Sequence, residues 1–267
     1  MIRSPAVAGH FYPSDPKILA QQIDLYTPAA KEKVHARACL VPHAGYMYSG
    51  HVAGAVYAAI EIPARCILLG PRHFPYGAPM AIWTEGSWAM PMGEAKIDAT
   101  LARKLAEACP LLHKDSLAHE REHSLEVQIP FLQHLAPDVR FVPVVLASDR
   151  YGALEELGHA VAHVVAAQKE PVLIVISSDM NHYESDEITR SKDYRAIERI
   201  LAIDARGLYD TIRNEEISMC GYPAAVAALV ALKDLGAKEA RLVRYATSGD
   251  ISGDRDEVVG YAGIVFP

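Results

Sequence analysis

The chain has 267 residues, 51% hydrophobic and 22% charged, which supplies apolar material for a full core and excludes a linker or a disordered tail. Its formal net charge is −7 with no basic stripe to offset it, which argues against a nucleic-acid partner, because that affinity rests on neutralising phosphates. Four cysteines without a CxxC pair fit neither a secreted disulfide framework nor a zinc ribbon.

Met1 to Pro13 shows no basic region followed by an apolar run, and the longest purely aliphatic stretch, Val172 to Ile176, is far short of the roughly 20 residues of a spanning helix. The expectation is a cytoplasmic protein without a membrane segment. Ala38 to Val41 reads as the first buried strand, ending in Pro42-His43-Ala44-Gly45-Tyr46, and a helix is expected over Ser49 to Ile60. Cys66 to Leu69 is a second strand, ending in Gly70-Pro71-Arg72-His73, and Met80 to Trp83 a third. Ile97 to Ala108 and Leu125 to Leu135 read as helices, the latter interrupted or kinked by Pro130.

Strand Val139 to Leu146 and helix Ala153 to Ala167 follow. Strand Val172 to Ile176 then runs into Ser177-Ser178-Asp179-Met180-Asn181-His182. Helices are expected over Lys192 to Ile203, Ala205 to Arg213 and Pro223 to Leu235, then strands Ala240 to Tyr245 and Val258 to Val265 around a mobile polar loop, Tyr245 to Asp256. No repeat or Ser/Gly linker divides the chain, so residues 1–267 read as one α/β domain, a central mixed or largely parallel sheet flanked by helices. In such sheets ligands sit at the carboxyl ends of strands, where three His-bearing loops lie here.

His43 and His73 each follow a strand directly, and neutral imidazole is the commonest transition-metal ligand. Asp179 either caps a helix or orients His182 as a proton acceptor, a role for which His182 has no competing local structural reason. His123 and Glu126, three apart in Glu122-His123-Ser124-Leu125-Glu126, would share one helix face and point into one cavity, with Ser124 as a cap and Glu120 and Glu122 solvated. Cys220 precedes the helix expected near Pro223, whose positive end would lower its pKa toward thiolate, whereas Cys39, Cys66 and Cys109 read as inert core residues. There is no GxxxxGK[ST], GxGxxG after a strand, HExxH or GxSxG.

Six segments together resemble the Memo family, whose prokaryotic members are also called AmmeMemoRadiSam system protein B. They are Ala8-Gly9-His10-Phe11-Tyr12-Pro13, Pro42-His43-Ala44-Gly45-Tyr46, Leu69-Gly70-Pro71-Arg72-His73, Glu122-His123-Ser124-Leu125-Glu126, Ser177-Ser178-Asp179 with His182, and Met219-Cys220-Gly221. The resemblance implies a fold related to class III extradiol dioxygenases, which hold non-haem Fe(II) in a strand-end cleft. It carries the metal ligands over to His43, His73 and Cys220, and the general base to His182 accompanied by Asp179. The dioxygenases use a carboxylate as third ligand, so a thiolate at Cys220 shifts the preference toward copper(I), zinc or a differently tuned iron, and ring cleavage does not follow from the fold.

Three readings follow. The first is a metal-dependent oxidoreductase with iron(II) or copper on His43, His73 and Cys220, with His182 moving a proton and His123, Glu126 and Asp179 around them. The second is a non-enzymatic protein that keeps a vestigial cleft for a small molecule or peptide, partnered as the family name implies with radical-SAM or AMMECR1-like proteins and able to form oligomers. The third is a zinc hydrolase on the same ligands.

Overall fold

Four short, mostly apolar segments lie side by side as parallel strands in the order Arg140–Leu146, Arg65–Pro71, Leu173–Ser177, Ala38–Val41. The computed structural model describes residues 1–29 and 32–267. Val258–Phe266 adds antiparallel to Ala38–Val41 and pairs in turn with Arg241–Thr247 and His182–Glu184. At the other side Gly93–Ile97 and Met80–Ile82 join Arg140–Leu146, and the first of these forms a hairpin with Ser87–Met90. The sheet is mixed, as expected.

The inner strands are buried along almost their whole length because helices cover both faces, which is why they read as continuous apolar runs rather than alternating ones. Helix Tyr222–Asp234, apolar on nearly every side, lies between the sheet and helix Tyr151–Ala166. Gly158 permits that approach, since a Cβ there would stand 2.6 Å from the Ala227 carbonyl oxygen. Helix Tyr46–Ala59 packs on Ala38–Val41 and Val258–Phe266.

Register brings the loops together. Ser177 pairs with Val41 and Ile176 with Leu69, so three neighbouring strands end level and release Pro42-His43, Arg72-His73 and Ser178-Asp179 at one edge. The three strands are neighbours, so the three His-bearing loops converge.

Of the departures from expectation, two concern segments the sequence singled out. Pro130 does not break a helix but stands in the first turn of Ile129–Leu135, where its missing N–H costs nothing, and a 3-10 turn Glu126–Gln128 precedes it. His123 therefore lies outside any helix and does not share a helix face with Glu126. The expected mobile loop after Tyr245 is strand through Thr247, then one helical turn, Gly249–Ser252, tied down by ion pairs of Asp250 with Arg190 and Arg255. Among the described residues no helix is long and apolar enough to cross a membrane.

Candidate metal centre

The three strand-end loops enclose a cavity of about 620 Å³ lined by His43, His73, His123, Asp179, His182 and Cys220, with Phe11 and Val259 as apolar walls. One ring nitrogen from each of His43, His73 and His123 lies within 4.8 Å of the others. The Cys220 Sγ is 3.2 Å from His43 Nε2.

Hydrogen bonds behind the rings decide which nitrogen faces the cavity. Ser177 donates its hydroxyl to the Ser124 carbonyl at 2.6 Å, so its lone pairs accept from Gln128 Nε2 at 2.9 Å and from His43 Nδ1 at 3.0 Å. His43 Nδ1 thus carries the hydrogen, and Nε2 is left with a lone pair. Likewise His73 Nδ1 donates to Glu122 Oε1 at 2.9 Å, and His182 Nδ1 to the Ser218 carbonyl at 2.9 Å. This donor set fits a transition-metal ion: three imidazole nitrogens converge in a part-buried cavity beside a thiol.

Burial holds His43 far below its usual pKa, and the neighbouring His123 and His73 add to the effect. His123 is pushed down to about 4, again by burial, against the pull of Glu122. Burial would lower His73 as well, but the hydrogen bond and charge of Glu122 win and raise it. Glu122 itself is held at about 2: burial opposes ionisation, and the hydrogen bond and charge of His73 outweigh it. Glu122 is only 1% exposed, so the expectation of a solvated carboxylate is overturned; it orients His73 and accepts the Ser124 N–H.

Cys220 also departs from expectation. Its thiol is raised rather than lowered, chiefly by burial and then by the charge of Asp179, so the helix end beside it does not make a thiolate. Gly221, the N-cap of helix Tyr222–Asp234, lets that loop press against the sheet, since a Cβ there would lie 2.5 Å from both the Ser177 carbonyl oxygen and Ser178 Cβ.

Asp179 caps no helix. Its Oδ1 accepts the backbone N–H of His43 at 2.7 Å and of Ala44 at 3.3 Å, fixing the loop that presents His43. Burial raises this carboxyl to about 6 against those two bonds. A raised folded-state pKa adds stability that is present below about pH 4 and lost as pH climbs through about 6. Asp179→Asn keeps the acceptor oxygen and removes the charge, so metal-free Asp179→Asn should melt with the parent near pH 4 and above it near pH 7.5. Parallel melting curves across that range would show that Asp179 does not titrate there.

Glu126 is not brought to the cavity. It is 0% exposed, and its carboxylate accepts from Arg3, the Ala6 and Val7 N–H groups and the Tyr12 hydroxyl. Several contributors carried no separate signal in the sequence: Ser177 and Gln128 behind His43, Ser218 behind His182, and Phe11 against His123. Tyr183 on the rim adopts φ 60°, unusual for a non-glycine residue.

Comparison with known proteins finds full-length relatives. The family described as Memo-like protein matches residues 3–265. A MEMO1 family protein of Methanopyrus kandleri is 39% identical, with 100% of this chain and 99% of the relative covered. One from Pyrobaculum arsenaticum is 42% identical, and one from Aquifex aeolicus 41%, each with 99% of both chains covered. A crystal structure from Escherichia coli shares the fold at TM-score 0.54 and 10% identity, covering 85% of this chain and 99% of that one.

Proposed function

The chain belongs to the family of Memo-like proteins, and from that premise we propose that its strand-end cavity holds one iron(II) or copper ion for redox, dioxygenase-like chemistry on a small ligand. His43, His73 and His123 would hold the ion, with Cys220 as a soft donor beside His43. The observation that carries this reading is the convergence of three imidazole nitrogens within 4.8 Å of one another. When bound, such an ion would supply the one-electron chemistry.

The protein's own part follows from its hydrogen bonds. His182 is buried enough to be pushed below its usual pKa, and its Nδ1–H is fixed on Ser218. Neutral at pH 7, it offers Nε2 to a proton leaving a ligand in the cavity. Asp179 holds the His43 loop, and Phe11 and Val259 exclude water from one wall. The raised Cys220 thiol loses its proton only to a strong local positive charge, which an ion at His43 would provide.

Three imidazoles also suit zinc, so metal identity is the deciding measurement. Protein purified without oxygen or chelators should contain about one iron or copper per chain, and Cys220→Ser should contain less. Zinc instead would move the assignment to hydrolysis by metal-bound water. No metal in either protein, even after reconstitution, would overturn the reading in favour of a cleft that only binds a ligand or partner.

A further inference from the structure

The three imidazoles are not oriented alike. His43 and His73 each give their Nδ1 hydrogen to an oxygen within 3.0 Å, whereas His123 Nδ1 lies 3.6 Å from Glu122 Oε1, beyond hydrogen-bond reach. His123 is held by packing instead. Its ring lies 4.5 Å from that of His73, nearly parallel at 20°, and 4.8 Å from that of Phe11.

Phe11 arrives on the N-terminal segment, which has little regular structure of its own and takes its place from a few contacts. The Phe11 carbonyl accepts the Tyr46 N–H at 2.7 Å, at the start of the helix that follows His43. Behind Phe11, Glu126 gathers four donors from residues 3–12: Arg3 Nη1 at 2.6 Å, the Ala6 and Val7 N–H groups at 2.8 and 3.0 Å, and the Tyr12 hydroxyl at 2.7 Å. Arg3 donates in turn to the carbonyls of His119 and Glu122, at 2.7 and 2.6 Å. One buried ion pair therefore joins the segment that carries Phe11 to the segment that carries His123.

We propose that Arg3, Glu126 and Phe11 are positioning residues for His123: the N-terminal segment is a wall of the centre, and the third imidazole takes its orientation from the Phe11 ring rather than from a hydrogen bond. The consequence for metal retention rests on the metal reading above, but the orientation is a property of the metal-free chain. Because packing is a softer restraint than a charge-assisted hydrogen bond, His123 is the ligand whose order depends on distant residues.

Deuterium exchange at the imidazole C2 position, resolved residue by residue by mass spectrometry on metal-free protein, tests this directly. Phe11→Ala should speed exchange at His123 several-fold and leave His43 unchanged, and Phe11→Tyr should restore the parent rate. Glu126→Gln should act on His123 in the same direction. With zinc ion alone as probe, release to a chelator should quicken on the order of tenfold in Phe11→Ala. An unchanged His123 rate in Phe11→Ala, or equal acceleration at His43 and His123, would overturn the proposal. Should Glu126→Gln not fold, Phe11→Ala decides, since Phe11 is only partly buried. Should the parent bind no zinc, the metal reading fails while the exchange comparison still stands.

Discussion

Replacing His43 by alanine should strip the protein of metal, lowering affinity by roughly a hundredfold or more, whereas replacing His182 by alanine should leave metal content intact. The two histidines line the same cavity, so position alone does not separate them. Their surroundings do. His43 is 2% exposed, its ring centroid lies 5.3 and 5.6 Å from those of His73 and His123, and its Nε2 lies 3.2 Å from the Cys220 sulfur. His182 belongs to no such group, and both its N–H groups are spent on Ser218. Metal analysis of the two variants is therefore the measurement, and a His43→Ala protein that keeps a full complement of metal would sink the centre as described. Affinity should also depend on pH with a definite sign. His43 and His123 are already neutral at pH 7, but Glu122 raises His73, so metal must displace a proton there. Zinc affinity should accordingly climb more steeply below the His73 transition than above it, where the Cys220 proton is the one left to displace, and Glu122→Gln should shift that change of slope to lower pH.

How much of this could be read from the chain varies with the physics of each element. The strand ends were legible because two-sided burial makes parallel strands continuous apolar runs, and a Pro or Gly immediately after such a run releases the next side chain at the sheet edge. That places His43 and His73 from sequence alone. His123 was legible as a candidate but not as a partner of those two, because Glu122 to Glu126 has the composition of a helix entry. Gly70 settles the matter in space: it leaves room for Leu125 and Ser124, a Cβ there falling 2.7 Å from Leu125 Cδ2. The environment of Glu122 was invisible for the ordinary reason that a carboxylate reads as solvated unless its partner is known, and that partner lies 49 residues away. Helix Pro16–Tyr26 did carry a local signal, Asp15 as N-cap with Pro16 at the first position, and helix Asp186–Leu201 likewise begins at Ser185 with two acidic residues in its first turn. Apolar periodicity alone starts that second helix too late, because its first turns are polar.

Arg3→Met should destabilise the fold by about 3–5 kcal/mol, an effect on the order of a 10 °C fall in melting temperature, and Glu126→Leu should cost a similar amount. Both side chains are essentially inaccessible, at 1% and 0%, and they meet at 2.6 Å. Removing arginine leaves a carboxylate in the core with three neutral donors and no countercharge, and also takes away the guanidinium stacked 4.2 Å over Trp88. Removing the carboxylate strands its donors: the guanidinium charge, two backbone N–H groups and the Tyr12 hydroxyl all lose their acceptor. Arg3→Met also abandons the His119 and Glu122 carbonyls, so the two losses are of similar size, and the double variant should fall well short of their sum, with a coupling of about 1–3 kcal/mol. Urea unfolding of the parent, both single variants and the double variant measures all four corners. Single losses below about 1 kcal/mol would mean that the N-terminal segment is not docked in solution as it is here. That outcome would also remove the support beneath Phe11. The buried pair and the order of the third imidazole therefore stand or fall by the same attachment, one read in the free energy of the whole fold and the other at a single ring.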